Sequence, residues 1–398
     1  MPILKNKGIL LGICGGIAAY KACELVRLLS KAGAKVQVVM TENAARFVNP
    51  LSFETLSQRP VYSSLFEKGI SPLIHIELAD KAELLVVAPA TANIIGKMAN
   101  GIADDLLSTL YLATKAKALV CPAMNVNMYG HPAVQENLAA LRKRGVKVLE
   151  PAEGGLACGW EGKGRLPEPD IILEACEYAL APKDLVGKKF MITAGPTREA
   201  LDPVRFISNR SSGKMGFALA RAARARGGEV VLISGPSALR PPMEVKLVKV
   251  ESAEDMKKAV DHYYKDADVL IKAAAVSDFR PAAKAGSKIK KEQAELMIEL
   301  EKTPDIVMGL GKKKTRNQIL VGFAAETEDL VKNASKKLKE KNLDMIVAND
   351  ISKKGAGFDV DTNIATILPR KGRAEYLPQM TKLELSYKIL DKVKNLLG

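Results

Sequence analysis

A glycine-rich loop near the N-terminus, CGGIAAYK at residues 14–21, is the first segment whose residues could do chemistry. Glycines allow a tight backbone turn, and the free N–H groups at the start of the following helix attract an anion such as phosphate. The loop lacks the GxGxxG spacing, and no acidic residue ends the second predicted strand to bind a dinucleotide ribose. That strand leads to Thr41, whose hydroxyl could join a phosphate site. The alternative for the glycine-rich loop is that it forms only a tight turn and binds no ligand.

Two further segments, APATAN at residues 88–93 and PAMN at residues 122–125, directly follow predicted buried strands. Ligands of open α/β sheets bind outside the carboxyl ends of the strands. Thr91 and Asn93 would suit a planar ring or a phosphate, although helix N-caps explain them equally well. The Asn125 amide could bind a carboxylate or a carbonyl, or it could only close the turn. Both segments are therefore candidate ligand contacts.

A histidine and a cysteine are candidates for proton transfer. His75, in the segment HIEL, is one of three histidines, and a lone histidine is more often structural than catalytic. Cys158 lies in the glycine-rich segment GGLACGWEG at residues 154–162. Buried cysteines usually serve only packing, but a cysteine among glycines lies on a loop and is a better candidate acid or nucleophile. Taken singly, each signal is weak.

The second half of the chain has its own motifs, built from small and charged residues. In order they are ITAGPTRE at 192–199, DPVRFISNRSSGKMG at 202–216, AAAVSDFR at 273–280, KIKK at 288–291 and GFAAET at 322–327. The pair Gly213 and Lys214 is similar to part of a phosphate-binding P-loop, but the required GxxxxGK spacing is absent. A P-loop site is therefore excluded.

Together and in this order, the motifs are specific. The first-half series CGGIAAYK, APATAN, HIEL, PAMN and GGLACG resembles the homo-oligomeric flavin-containing cysteine decarboxylases, and the second-half series resembles phosphopantothenate–cysteine ligase. The resemblance covers essentially the whole chain and is to the bifunctional prokaryotic phosphopantothenoylcysteine decarboxylase/phosphopantothenate–cysteine ligase family of coenzyme A biosynthesis. One departure is Cys14, where some relatives have a hydroxyl residue that could bond a flavin phosphate. The backbone donors of the loop remain.

For residues 1–182 the resemblance implies an FMN-dependent decarboxylase, and FMN is expected because the first loop lacks a dinucleotide fingerprint. The flavin would act as a temporary electron acceptor while CO2 leaves the cysteine carboxyl group. The resemblance implies Cys158 as the proton donor, Asn125 as the group that binds the substrate carboxylate, and His75 as a base or orienting group. The implied FMN contacts are Gly15, Gly16, Ile17, Thr41, Thr91, Asn93 and Ser108.

For residues 183–398 the resemblance implies a ligase that activates the carboxylate of 4'-phosphopantothenate with CTP and transfers the acyl group to cysteine. Mg²⁺ would shield the phosphates, with Asp278 as its ligand. Asn209 would hold the acyl intermediate, Arg205 an anionic group, and Lys288 would act in catalysis. The implied CTP contacts are Ala273, Ala274, Ala275, Asp278, Lys288, Pro304, Asp305, Ile306, Val307, Phe323, Lys337 and Lys341. CTP and ATP stay open from the residues alone, because some relatives use ATP.

The elements that must position these residues alternate between strand and helix. Short apolar runs rich in Val, Ile and Leu are typical of parallel strands buried on both faces. Such runs predict strands at residues 8–13, 35–40, 84–88 and 118–121, and again at 189–194, 229–234, 269–275, 318–323 and 345–348. Helical spacing predicts helices at 18–32, 104–113, 132–144 and 213–226.

This alternation predicts two doubly wound, open α/β sheets, joined by a linker at residues 178–187. The resemblance implies a flavodoxin- or Rossmann-like flavin-binding domain followed by a Rossmann-like nucleotide-binding domain. It also implies a homo-oligomer, a dodecamer built from trimers of the first half and dimers of the second.

Composition narrows the class of protein further. A chain of 398 residues, 47% hydrophobic and 26% charged, suits two globular domains. Five scattered cysteines without CxxC pairing disfavour disulfides and a zinc site and predict a reducing, cytoplasmic location. No apolar stretch approaches the ~20 residues of a membrane helix. The first eight residues are predicted to begin a strand and not to form a signal peptide.

The formal charge of +15 indicates either nucleic acid or anionic small molecules as ligands. Aromatic residues are only 5% of the chain, and none interleave with the basic runs as a base-stacking surface requires. Phosphorylated small molecules are therefore favoured over nucleic acid.

Two other classes of protein make different demands on the residues. A plain flavin oxidoreductase with a fused nucleotide-binding domain would need neither the Cys158 loop nor SNRSSGKMG. A non-catalytic regulatory homologue should have lost some of His75, Asn125 and Cys158, and this chain has all three.

Overall fold

The structure, a computed structural model, describes residues 3–66, 69–155, 159–289, 297–326, 329–350, 357 and 360–398. The chain divides into two compact units, residues 2–181 and residues 182–398. The linker predicted at residues 178–187 begins inside a helix, because Pro169–Leu180 is helical. That helix buries Ile172, Ala175 and Cys176, and this packing keeps it helical up to the boundary. Over the described ranges, we find no helix with the length and apolar content to span a bilayer.

The first unit has a five-stranded parallel sheet in the order β2-β1-β3-β4-β5, which is a doubly wound order. Its strands are β1 Gly8–Ile13, β2 Lys35–Met40, β3 Leu84–Ala90, β4 Lys117–Pro122 and β5 Lys147–Val148, and a separate hairpin pairs β6 Ala152–Gly155 with β7 Glu161–Arg165. A 3₁₀ helix, Ile17–Tyr20, precedes helices α1 Lys21–Lys31, α2 Glu42–Ala45, α3 Pro50–Ser57, α4 Ile74–Lys81, α5 Ala92–Asn100, α6 Leu106–Ala113, α7 Val126–Gly130, α8 Pro132–Lys143 and α9 Pro169–Leu180.

The second unit has an eight-stranded sheet in the order β12-β11-β8-β13-β16-β17-β18-β19. Its elements are β8 Lys189–Ala194, β9 Arg198–Ala200, β10 Phe206–Ser208, α10 Lys214–Ala225, β11 Glu229–Ser234, β12 Lys246–Lys249, α11 Ala253–Tyr263, a 3₁₀ turn Tyr264–Asp266, β13 Val269–Lys272, β14 Phe279–Pro281, β15 Leu300–Lys302, α12 Ile306–Lys313, β16 Ile319–Glu326, α13 Leu330–Glu340, β17 Met345–Asp350, β18 Thr362–Pro369, β19 Glu375–Thr381 and α14 Lys382–Leu397. The first six strands of the order are parallel, and β18 and β19 are antiparallel.

The prediction of two open α/β sheets is confirmed, and burial explains why the apolar runs showed it. All seven residues of β3 are buried. The strand predicted at residues 269–275 ends earlier, at Lys272. Beyond that end, Ala275 forms an isolated parallel bridge with Pro196, in which its N–H donates to the Gly195 carbonyl (2.9 Å) and its carbonyl accepts from the Thr197 N–H (3.3 Å). The antiparallel strands β18 and β19 were not predicted.

The two faces of the second sheet carry different helices. Side chains of α11, α12 and α13 pack with Leu270, Ile346, Ala348 and Leu368 in one core cluster. Strand residues alternate between faces, so the residues between these point away from α13. Helices α10 and α14 pack against each other and against the sheet, outside this cluster.

A buried arginine ties the start of the second unit to its last helix. The guanidinium of Arg226, 3% exposed, donates two 2.8 Å hydrogen bonds to Asp184 and one of 2.8 Å to Asp391. Hydrogen bonds from Arg226 and Lys394 lower the pKa of Asp184 to about 2.

Replacing this arginine should destabilise the second unit. We expect Arg226→Met to lower its free energy of unfolding by about 3 kcal/mol, because two carboxylates lose a buried partner. The low pKa of Asp184 also means that its contribution is present above the unfolded value of about 4 and lost as pH falls towards 2. Urea unfolding at neutral and acidic pH measures both effects. Lys336→Met, which removes an exposed helix-surface lysine, is the control, and an equal loss there would contradict the prediction.

Candidate functional site

A cavity of about 480 Å³ opens at the carboxyl edge of the first sheet. The three predicted segments at residues 14–21, 88–93 and 122–125 all contribute to it. Its lining residues are Gly16, Ile17, Ala18, Tyr20, Lys21, Pro89, Ala123, Met124, Asn125, Gly155, Gly164, Arg165 and Leu166. The strand-end segments that are separate in sequence therefore share one cavity.

The two glycines of the first loop have different surroundings. A Cβ atom on Gly15 would lie 2.5 Å from the Cβ of Asn43, whereas one on Gly16 would meet no atom within 4 Å. Packing therefore requires glycine at position 15, while Gly16 faces open space. The Cys14 thiol is buried, and burial raises its pKa to about 12. This thiol is neutral, so the backbone N–H groups of the loop are what could attract an anion.

Three of the predicted FMN contacts, Thr41, Thr91 and Ser108, cap helices. Thr41 and Thr91 are the N-caps of α2 and α5, and for Thr91 capping is the alternative that the sequence left open. Asn93 is exposed in the first turn of α5. Ser108 is fully buried and forms a capping box with Asp105 at the start of α6. Ser108 lies outside the cavity lining, and its contact with FMN stays a prediction.

The predicted proton-transfer and carboxylate-binding residues lie in different places. Asn125 lines the cavity and caps α7, its Oδ1 accepting the N–H of Asn127 at 2.8 Å. His75 is in the first turn of α4, and its Nδ1 is buried without a hydrogen-bond partner in the described part of the chain. It does not line this cavity. A buried polar atom without a partner is unusual in a folded protein, and the role of His75 stays a prediction. Cys158 lies outside the described residues.

A second cavity, of about 460 Å³, opens at the carboxyl edge of the second sheet. It brings together half of the residues predicted for the ligase half. The lining includes the predicted Asn209, Ala273, Ala274, Ala275, Asp278, Phe323 and Lys337, together with Arg210, Ser211, Gly213, Lys214, Met215, Lys272, Val276, Ala324, Ala325, Asn349, Gly357, Asn363 and Lys382.

Asn209 holds the loop that forms one wall of this cavity. Its Nδ2 donates to the carbonyl oxygens of Ala275 (3.3 Å) and Val276 (3.0 Å). Asp278 follows on the same loop and is exposed. Among the described residues, no group of three or more His, Cys, Asp or Glu side chains could hold a metal ion. Mg²⁺ is often bound by one or two carboxylates together with substrate phosphates, and its binding by Asp278 stays a prediction.

Arg205 and Lys288 lie outside the cavity lining, and Arg205 contacts the backbone of Ile289, the residue after Lys288. The Arg205 guanidinium pairs with Asp202 (2.6 Å) and also donates to the Ile289 carbonyl (3.0 Å), while Asp202 accepts the Ile289 N–H (3.2 Å). Burial of Asp202 acts to raise its pKa, but these hydrogen bonds hold the pKa well below the usual value. The Arg205–Asp202 ion pair is therefore hydrogen-bonded to the Ile289 backbone, next to Lys288. The side chain of Lys288 is exposed.

The remaining predicted nucleotide contacts surround the start of α12. Asp305 caps α12 and pairs with Lys341 at 2.9 Å. The side chains of Ile306 and Val307 belong to the core cluster, so any contact they make with a ligand would use the backbone. Pro304 precedes them and is partly buried.

Sequence reasoning missed a lysine in this region. Lys272 ends β13 and lines the second cavity, and its Nζ donates to the Ala274 carbonyl at 3.2 Å. Burial, and then the positive charge of Lys341, lower its pKa to about 8, against the opposing effects of Asp305 and Asp278. The residue escaped notice because it stands inside an apolar strand run. Asn349, by contrast, directly follows the strand predicted at residues 345–348. The expectation that ligands bind outside the carboxyl ends of strands, which identified Asn125, could therefore have identified Asn349 as well.

Comparison with known proteins matches both units. The family described as Flavoprotein matches residues 3–179, and the family described as DNA/pantothenate metabolism flavoprotein C-terminal domain matches residues 185–397. The chain is 52% identical over 396 residues to the coenzyme A biosynthesis bifunctional protein CoaBC of Bacillus subtilis (strain 168), covering 98% of this chain and 97% of that protein. It is 46% identical over 395 residues to the protein of that name from Escherichia coli (strain K12), covering 98% and 97%.

Solved structures match the units separately. The crystal structure of the C-terminal domain of a coenzyme A biosynthesis bifunctional protein CoaBC is 47% identical, with a TM-score of 0.47, and covers 54% of this chain and 98% of that chain. The FMN-dependent cysteine decarboxylase SpaF is 30% identical, with a TM-score of 0.39, and covers 45% and 97%.

Proposed function

The chain belongs to the family of coenzyme A biosynthesis bifunctional proteins, and from that membership we propose a two-step reaction. The enzyme joins 4'-phosphopantothenate to cysteine using CTP, and it then decarboxylates the product to 4'-phosphopantetheine in an FMN-dependent reaction. The observation that carries the proposal is that each unit has a cavity at the carboxyl edge of its sheet, lined by the motifs of one activity.

Residues 1–182 carry the decarboxylase in this proposal. The N–H groups of Gly15, Gly16 and Ile17 would hold the FMN phosphate, and the open space beside Gly16 supports this. Thr41, Thr91 and Asn93 would contact the rest of the cofactor. When bound, FMN supplies a reversible two-electron acceptor for the cysteine-derived carbon.

The protein's own groups then handle the carboxylate and the protons. Asn125, in the cavity wall, holds the carboxylate that is lost as CO2. Cys158 returns a proton to the product carbon, and His75 acts as a base or orienting group. The unpartnered Nδ1 of His75 is consistent with such a role.

Residues 183–398 carry the ligase. The nucleotide would lie against Ala273–Ala275, Phe323, Lys337 and Lys341, with Asp278 binding Mg²⁺ beside its phosphates. Asn209 holds the acyl group of the activated substrate. Arg205 and its partner Asp202 form hydrogen bonds with the Ile289 backbone and thereby position Lys288 for the transfer step. The concentration of lysines at this cavity suits anionic substrates.

We place the proposed enzyme in the cytoplasm, acting on small molecules with no nucleic-acid partner, as a homo-oligomer that would be a dodecamer. Exposed apolar side chains at the first cavity support a homo-oligomer. Ile17 is 62% exposed and Tyr20 is 59% exposed. A second copy of the chain could cover such side chains, because exposed apolar surface next to a site often marks an interface.

The test is an assay of the purified full-length chain. We expect a yellow protein whose heat-released flavin runs as FMN on chromatography. With Mg²⁺, 4'-phosphopantothenate, cysteine and CTP, it should form phosphopantothenoylcysteine and then release CO2. FAD in place of FMN, or no condensation with either CTP or ATP, would contradict the proposal.

A further inference from the structure

Two asparagines from different strands meet in the second cavity. Asn349, near the end of β17, pairs with Ala365 of the antiparallel strand β18. Asn363 stands two residues before Ala365, so its side chain projects from the same face as that of Asn349. Diagonal neighbours of this kind have side chains about 7 Å apart. Both residues line the cavity.

The amide oxygens of this asparagine pair, Asn349 and Asn363, have no hydrogen-bond partner within the described ranges, although both oxygens are buried. Asn363 as a whole is only 3% exposed. Buried polar atoms in folded proteins nearly always have partners, and an exception calls for a ligand or a functional role. The pair therefore offers two acceptors to a molecule that brings hydrogen-bond donors.

A β-bulge lies next to Asn363, where β18 pairs with β19. Asn363 pairs with Met380 and Ala365 pairs with Leu377, so one residue of β18 opposes two residues of β19 at this point. Bulges of this kind often occur beside functional sites, where they aim a side chain.

The cations next to the pair are already engaged. Lys382, the first residue of α14, is buried and donates to the carbonyl oxygens of Gly357 (3.1 Å) and Val360. Lys214 pairs with Asp361 at 2.7 Å. The two lysines would repel a positively charged donor, whereas they would not repel a neutral hydroxyl group or amide N–H. The asparagine oxygens and the nearby lysines are therefore best matched by a molecule that has neutral hydrogen-bond donors between anionic groups.

The position on the sheet separates the asparagine pair from Lys272, whereas Phe323 projects from the same face as the pair, because the adjacent Ala324 belongs to the core cluster. Leu270 belongs to the core cluster beneath α12 and α13, and Lys272, two residues later, projects from the same face. Ala348 also belongs to that cluster, so the adjacent Asn349 projects from the opposite face. The loop that carries Asn209 leads directly into α10, outside that cluster.

The geometry thus points to Asn349 and Asn363 as the residues that bind the hydroxyl group and amide N–H of the 4'-phosphopantothenate chain. This inference rests on the proposed ligase function and deepens it, because it assigns the groups that recognise the neutral part of the acyl substrate. The lysines of the cavity attract the anionic ends, and the asparagine pair selects the chain between them.

The test compares Asn349→Leu and Asn363→Leu in the full-length enzyme, with Asn363→Ala as a smaller alternative should leucine not fit. We expect each variant to raise KM for 4'-phosphopantothenate about five- to tenfold, the usual effect of one lost hydrogen bond. KM for CTP and for cysteine should stay unchanged. Thermal stability should not fall, because an apolar side chain replaces an acceptor that has no partner in the described chain. Asn395→Leu, an exposed position on α14, is the matched control.

A substrate analogue that lacks the secondary hydroxyl group provides an independent measurement. It should bind wild-type enzyme less tightly, and at least one of the two leucine variants should no longer distinguish it from the natural substrate. A rise in KM for CTP or for cysteine instead would overturn the inference, as would unchanged kinetics or a loss of stability. A wild-type enzyme that makes no product with any nucleotide would refute the proposed function itself.

Discussion

Replacing Asn125 with aspartate is expected to lower kcat/KM for decarboxylation about a thousandfold. If Asn125 binds the substrate carboxylate, the variant places two negative charges near each other. At about 4 Å and an effective dielectric constant of about 20, this repulsion is ~4 kcal/mol, which corresponds to about a thousandfold in rate. The CO2 released from phosphopantothenoylcysteine measures the effect.

The same substitution separates binding from local structure. Asn125 caps α7 by accepting the Asn127 N–H, and aspartate caps a helix as well as asparagine does. A purely structural role therefore predicts a folded and fully active Asn125→Asp enzyme, and this result would exclude our assignment. Asn127→Asp is the control, because it adds the same charge two residues away at an exposed position outside the cavity lining. Condensation of 4'-phosphopantothenate with cysteine should be unaffected in both variants if the ligase lies in residues 183–398.

Lys272→Met should weaken CTP binding about 10- to 100-fold near neutral pH. A hydrogen bond from a charged group contributes ~1.5–3 kcal/mol, and Lys272 faces the cavity proposed for the nucleotide. Decarboxylation of added phosphopantothenoylcysteine should continue unchanged. Lys312→Met, at an exposed position on α12, removes the same charge from the surface and is the control.

The pH dependence of CTP binding tests the same residue by a second route. Because the pKa of Lys272 is about 8 before any nucleotide binds, the side chain loses its charge as pH rises through that value. Wild-type affinity should therefore fall above pH 8, and binding there should take up a proton, which calorimetry in buffers of different ionisation enthalpy detects. The Lys272→Met enzyme should lack this component. An identical pH profile in both proteins would show that Lys272 does not contact the nucleotide.

Much of the fold could be predicted from the sequence, because strands buried on both faces must be apolar throughout. The run at β3 is buried at every position, and its pattern differs from that of α1, whose buried residues recur at helical spacing. The expectation that ligands bind at the carboxyl ends of parallel strands also placed Asn125 correctly beside a cavity, since such strands end at a common edge. Local sequence patterns are sufficient to predict a strand, a helix or the edge at which a strand ends, because burial and chain direction alone control these features.

Other assignments depended on contacts between distant segments. The sequence left helix capping and ligand binding equally open for Thr91, and the folded chain shows the cap at α5. Arg205 was predicted to bind an anionic group of a ligand, which stays a prediction, and the folded chain pairs its guanidinium with Asp202 and the Ile289 carbonyl. Such outcomes follow from which groups lie within hydrogen-bond distance, and spacing along the chain does not contain that information.

The residues that sequence reasoning missed share one cause. Lys272 stands in an apolar run and has a lowered pKa only because the fold buries it near Lys341. Asn349 and Asn363 become a pair only because β17 and β18 run antiparallel with Asn349 opposite Ala365. The sequence specifies elements through the burial of local apolar patterns, whereas the charge, partners and neighbours of a polar side chain depend on the segments that tertiary packing brings to it.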